Sequence, residues 1–251
     1  MILHQVLLYL VHTLLAIRTW LASLYHGLKK PLAFKHRKRT VPRIKSDSKA
    51  LSRLPIHVGL VVVEEDFRYG DLASLVVWCA AMGISYISLY DSQGILKRNN
   101  TSLWQEIMKQ QQELLGEDSN KYSIELVTGN RTTTQLTGQK YSVEVRLLSS
   151  EDGRTDLLQA AQRWCQAVEA RRKKVGDLEP TALEGLLQAT KGAPDVDLVL
   201  KFGTVDSLLG FLPWQIRLTE ILSLPTHHSI DYQTFLLALQ SFGNIEQRFG
   251  K

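Results

Sequence analysis

Ile56-His57-Val58-Gly59-Leu60-Val61-Val62-Val63, followed by Glu64-Glu65-Asp66-Phe67-Arg68-Tyr69-Gly70-Asp71 and then the segments Asp71 to Met82 and Ile84 to Tyr90, is the stretch from which the fold can be read. Its first eight residues are almost wholly apolar and rich in β-branched side chains, the pattern of a strand buried on both faces. Asp71 to Met82 then places Leu72, Leu75, Val76, Cys79 and Met82 along one side of a helix, Gly83 is a natural stop, and Ile84 to Tyr90 reads as a second strand.

The alternation continues downstream. Trp104, Ile107, Leu114 and Leu115 mark a helix, and Ile124 to Val127 and Val143 to Leu148 are short strands. Thr128 to Lys140, rich in Thr, Gly and Gln, has no periodicity and reads as a loop or hairpin connection. Leu157, Leu158, Ala161, Trp164, Cys165 and Val168 form an amphipathic stripe predicting a helix over Arg154 to Val175. Its Arg171-Arg172-Lys173-Lys174 end reads as solvated cations at a helix C-terminus. Asp197 to Lys201 is a strand, Phe211 to Ile221 follows after a turn, and a last helix starts near Asp231 with Phe235, Leu239 and Phe242 at helical spacing. Strands alternating with helices imply an α/β fold, a mostly parallel central sheet flanked by helices, over residues 56–251.

The N-terminal part differs. Ile2 to Leu28 is largely apolar, and no acidic residue precedes Asp47, whereas Arg18, Lys29, Lys30, Lys35, Arg37, Lys38, Arg39, Arg43 and Lys45 all fall there. Without that arm the chain holds 21 basic against 25 acidic residues, so the net +5 describes the arm and not the domain. The domain therefore carries no general nucleic-acid signature. Residues 1–28 are long enough for a membrane anchor, and the cations that follow place the domain on the cytosolic side, as in a single-pass endoplasmic reticulum protein. An interfacial helix and a cleaved signal peptide are the competing readings, although the polar face and the n-region that each needs are weak here. Residues 29–55 read as an exposed basic linker. Cys79 and Cys165 show neither metal spacing nor a disulfide framework and read as reduced thiols.

The chain's last stretch, Ile245-Glu246-Gln247-Arg248-Phe249-Gly250-Lys251, has two readings. Arg248 can offer a planar fork to a phosphate while Gly250 lets a backbone N–H approach an anion. Equally, Gly250 can be a helix C-cap and Arg248 a last-turn cation. Two smaller features take plain readings: His227-His228 as a solvated turn after Pro225, and Trp214 with Gln215 as core or dimer packing.

Gly83-Ile84-Ser85-Tyr86-Ile87-Ser88-Leu89-Tyr90, Gly153-Arg154, Phe211-Leu212-Pro213-Trp214-Gln215 with Glu220, and the Arg-x-Gly tail stand in an order that resembles the cis-prenyltransferase family of undecaprenyl and dehydrodolichyl diphosphate synthases. The departures are specific. Where catalytic members carry Asp-Gly-Asn-Gly-Arg-Trp to hold magnesium and diphosphate, this chain has Glu64 to Asp71, whose three consecutive carboxylates would repel a diphosphate and read as a solvated loop. Asp91-Ser92-Gln93-Gly94-Ile95-Leu96 replaces Phe-Ser-x-Glu-Asn-Trp, and Lys201, Val205 and Ser207 stand where an arginine, a glutamate and an arginine are expected.

A fold kept without its catalytic loop is similar to the accessory subunits of that family, the Nogo-B receptor branch. The resemblance implies a chain inactive alone that partners a catalytic dehydrodolichyl diphosphate synthase subunit at the membrane. It further implies isopentenyl and allylic diphosphates at a shared site, and Nogo-B as another partner. Arg248, Phe249 and Gly250 would then contact substrate, with Arg248 and Gly250 serving catalysis and the Gly250 backbone joining the shell of a Mg2+ ion held mainly by the partner. The rival is a membrane-anchored receptor or scaffold with no catalytic role. Three glycosylation sequons bear on it, beginning at Asn99, Asn100 and Asn130.

Overall fold

Helix α1 (Val41–Ala50) precedes the first strand and buries Val41 and Ile44 in the larger apolar cluster, where the sequence predicts exposed linker. The computed structural model describes residues 12, 13, 17, 41–129, 131–134, 141–187 and 192–245. The expected anchor over residues 1–28 lies almost entirely outside them, and among the described residues no helix is long and apolar enough to cross a membrane.

From β1 (His57–Val62) the chain enters α2 (Tyr69–Met82), β2 (Tyr86–Tyr90), α3 (Ile95–Arg98) and α4 (Asn100–Leu115). It continues through β3 (Tyr122–Thr128), β4 (Arg131–Thr134), β5 (Tyr141–Leu148), α5 (Arg154–Glu169) and α6 (Pro180–Glu184), then β6 (Leu198–Phe202), β7 (Glu220–Leu224) and α7 (Tyr232–Gly243). The strands form one sheet in the order β4-β3-β5-β2-β1-β6-β7. Every pairing is parallel except β3 with β4, which makes the hairpin that the Thr/Gly-rich segment allowed. The expected parallel sheet is therefore present, with one antiparallel edge strand.

Register explains the core. Val58, Leu60 and Val62 join the larger apolar cluster with α2, α4 and α7, while Val61 faces a second cluster with Tyr90, Val199, Phe211 and Leu212. Helix α2 is not amphipathic as its spacing suggested: ten of its fourteen residues are buried. Each fully buried Leu or Val side chain contributes about 1.5–3 kcal/mol, which makes α2 the hub of the domain. Gly83 closes it in the left-handed conformation, its N–H on the Ala80 carbonyl.

Two further expectations change. Helix α5 stops at Glu169, short of Val175, and Arg171 lies at positive φ just beyond it. Of the apolar stripe only Trp164 is buried, with Leu158, Ala161 and Cys165 exposed. Between β6 and β7 the chain is turns and bends rather than one element from Phe211 to Ile221, and Ile221 belongs to β7.

Candidate functional site

Open parallel sheets place ligands beyond the carboxyl ends of their strands. Here that rim is formed by residues 63–68 after β1, 91–94 after β2, 149–153 after β5, 203–213 after β6 and 225–231 after β7. Each connection has polar groups bonded within the chain.

The acidic loop after β1 is not a freely solvated one. Glu64 accepts the His227 backbone N–H at 2.9 Å and the His227 ring Nδ1–H, and the Arg68 N–H donates to His227 Nε2 at 3.0 Å. His227 is 0% exposed, which corrects the reading of His227-His228 as a solvated turn. His228 Nε2 donates to the Asp66 carbonyl at 3.0 Å, and Asp71 accepts the Ser229 N–H at 2.8 Å. Burial lowers the His227 ring below its ordinary value although Glu64 pulls the other way, so the ring is neutral at neutral pH. Burial alone would raise Glu64, but hydrogen bonds from Thr226, the His227 backbone and the His227 ring outweigh it and hold the carboxyl below its ordinary range.

The connections after β2 and β5 are closed in the same manner. Asp91, buried, accepts the Ile95 and Leu96 N–H groups at 2.8 and 3.0 Å, occupying the start of α3 with its own carboxylate. Asp152 accepts the Ser149 N–H at 2.7 Å and its hydroxyl at 3.1 Å and pairs with Lys97. Gly153 lies hard against the Gly210 carbonyl, whose oxygen would sit 2.0 Å from an added Cβ. The Tyr90 hydroxyl, pushed up to about 12 by burial and by the neighbouring Asp91 charge, donates to the Leu209 carbonyl at 2.6 Å.

Lys201, the one cation that the alignment with the family left at a phosphate position, is 4% exposed. Its ammonium donates to the Gly203 carbonyl at 3.1 Å and the Val205 carbonyl at 2.6 Å, so its charge serves its own loop. Val205 and Ser207 are exposed, and Ser207 Oγ accepts the Leu209 N–H at 3.1 Å. Gln215 is buried, and half-buried Trp214 lies under Arg217, whose guanidinium is 5.3 Å from the ring centre, so both pack as the sequence suggests.

Glu64, His227 and His228 bring one possible ligand atom each within 4.8 Å of one another. Magnesium does not fit them. It prefers an octahedron of oxygens, two of these three groups offer nitrogen, and His227 uses one ring nitrogen as donor to Glu64 and the other as acceptor from Arg68. Arg248, Phe249 and Gly250 lie outside the described residues, which end at Ile245 just after α7. His227 is the residue that sequence reasoning missed. Its partner Glu64 is 163 positions away, so no local pattern could have exposed the pairing.

With this geometry in hand, comparison with known proteins is informative. The family model for undecaprenyl diphosphate synthases matches residues 69–250. The chain is 53% identical over 211 residues to the human dehydrodolichyl diphosphate synthase complex subunit NUS1, covering 83% of this chain and 71% of that one. To the subunit of the same name from Schizosaccharomyces pombe it is 29% identical, covering 82% and 81%. Two crystal structures share the fold. The lavandulyl diphosphate synthase of Lavandula x intermedia in complex with dimethylallyl diphosphate superposes with a TM-score of 0.56 at 17% identity, over 79% of this chain and 99% of that one. A probable undecaprenyl diphosphate synthase from Campylobacter jejuni superposes with a TM-score of 0.52 at 21% identity, over 79% and 100%.

Proposed function

Because the chain belongs to the undecaprenyl diphosphate synthase family of cis-prenyltransferases, we propose that it is the accessory subunit of a heteromeric enzyme of that family. That enzyme condenses isopentenyl diphosphate onto farnesyl or a longer allylic diphosphate to make dehydrodolichyl diphosphate, the precursor of dolichol for protein glycosylation. The observation that carries this reading is the closed rim of the sheet. Where a catalytic member must leave donors free for two diphosphates, the N–H groups of His227, Ile95 and Ser149 are taken by Glu64, Asp91 and Asp152, and the Lys201 ammonium is taken by the Val205 carbonyl. Such a chain is inactive alone and contributes to chemistry only at a partner's site.

Its contribution is the C-terminal tail. Ionisation of the allylic substrate leaves negative charge on the departing diphosphate, and preorganised cations beside it lower the barrier. Arg248 binds the diphosphate of isopentenyl diphosphate through its guanidinium fork, and the Gly250 backbone belongs to the phosphate and metal shell. Magnesium, which the family implies, belongs to the partner's carboxylates. The exposed apolar face of α5, with Leu158 at 59%, and the β7 edge, with Ile221 at 47%, are surfaces that such a partner would cover.

Co-expression with a catalytic cis-prenyltransferase subunit, with activity assayed with and without this chain, tests the reading. Arg248→His should leave the complex intact and lower turnover about a hundredfold or more. Near-normal turnover overturns the assignment, as does elongation by the purified chain alone. Residues 1–28 act as a single-pass anchor in the endoplasmic reticulum membrane with the domain in the cytosol. Glycans on Asn99, Asn100 or Asn130 would instead favour a lumenal receptor, the setting in which Nogo-B would be the partner.

A further inference from the structure

Helix α1 and the turn after it make a set of contacts to α7 that the sheet itself does not require. The Tyr232 hydroxyl donates to Asp47 Oδ2 at 3.0 Å, at the first turn of α7. At its last turn, Ser52 Oγ donates to the Gly243 carbonyl at 2.6 Å, and the Arg53 guanidinium lies 4.2 Å from the centre of the Phe242 ring. Gly243 is where the two segments come nearest. A Cβ there would stand 2.8 Å from Ser52 Oγ and 3.3 Å from the Arg53 carbonyl oxygen. Two parts of the chain 191 residues apart are thus set against each other by a hydrogen bond, a cation over an aromatic face and a missing side chain.

The position of this contact gives it meaning. Helix α7 ends there, with the Asn244 N–H on the Gln240 carbonyl at 3.1 Å and the Ile245 N–H on the Phe242 carbonyl at 3.2 Å. Arg248 follows three residues later in the sequence. On the other side of the contact, Ser52 and Arg53 end the stretch that begins in the basic arm.

We propose that Ser52 and Arg53 are positioning residues for the shared active site, a brace that fixes the base from which the Arg248-Phe249-Gly250 tail leaves α7. This rests on the reading of that tail as lent to the partner. The brace touches no substrate. It acts by setting the translation and rotation of the last turn of α7, the element from which the tail departs in the sequence. Misplacing a catalytic group by about 1 Å costs up to about a hundredfold in rate, so small changes at the brace should be read in turnover before they are read in folding.

The test uses the co-expressed complex with its catalytic subunit. Gly243→Ala puts a methyl group against Ser52 Oγ, Ser52→Ala removes the bond, and the double variant removes both the bond and the nearest clash. In Gly243→Ala the complex should form in normal yield with Tm close to the parent's, while kcat falls roughly ten- to a hundredfold and KM for isopentenyl diphosphate rises. The double variant should recover part of that loss. Arg53→Lys, which keeps the charge but loses the planar stacking on Phe242, should behave as Ser52→Ala does, a several-fold loss; both cover the case of Gly243→Ala failing to fold.

Parent-level turnover in all of these, or activity that falls only in step with Tm or with the amount of complex, overturns the brace. Arg248→His measured alongside separates the two readings. Inactive Arg248→His with normal brace variants removes the brace alone, and full activity of Arg248→His removes the lent tail and the brace with it.

Discussion

His227 has both ring nitrogens committed, one giving a proton to Glu64 and the other taking a hydrogen bond from the Arg68 N–H. The pairing holds the acidic loop after β1 to the turn after β7. His227→Ala should cost about 2–4 kcal/mol, since it removes buried ring volume, leaves the Arg68 N–H without its partner and takes the ring hydrogen bond from Glu64. Glu64→Gln keeps an acceptor for the His227 backbone N–H and should cost about 1 kcal/mol. Chemical denaturation of the two variants checks the order; equal midpoints for His227→Ala and the parent would show that the pairing carries no stability.

At the scale of elements, α5 departs furthest from what its spacing predicts. Its stripe was legible as a helix because the 3.6-residue period belongs to the helix itself, but which neighbour the stripe would meet is not a property of α5. Among the described residues Leu158, Ala161 and Cys165 stay exposed. Leu158→Glu should therefore move the stability of the isolated chain by no more than about 0.5 kcal/mol, while weakening complex formation roughly tenfold or more. Unchanged association would place the partner elsewhere.

Helix α1 shows the opposite error. The cations Arg43 and Lys45 made residues 41–50 look like solvated linker, whereas Val41 and Ile44, three positions apart, turn one face inward. Strands β1, β2 and β6 were readable nearly to the residue because burial on both faces makes them continuous apolar runs. The rim was readable only in the negative. The absence of a catalytic loop is a matter of residue types, but what fills the space depends on contacts between distant segments.

For the whole molecule, the buried groups give stability a definite dependence on pH. His57, which lies between the Pro194 carbonyl and the Ser88 hydroxyl, and His227 are both held by burial below their ordinary value of 6.5. Glu64 is also lowered. A group whose folded value is depressed binds protons more readily once unfolded, so its stabilisation is full above the unfolded value and is lost as pH falls. Thermal unfolding should therefore move to lower temperature as pH drops below 6.5, with the Glu64 contribution lost last. Asp195, raised by burial, acts in the opposite sense but only within the carboxylate range. A flat profile from pH 7 to about 5 would contradict the neutral, buried state of both imidazoles.

The bonded rim also bears on how this chain could change over time. Replacing Glu64 alone strands the His227 ring N–H, replacing His227 alone strands the Arg68 N–H and takes one of three hydrogen bonds from Glu64, and removing Asp91 uncaps α3. Each of these single changes passes through a less stable chain. The rim behaves as a ratchet: once its side chains have bonded to one another, the folding energy of the chain keeps it closed.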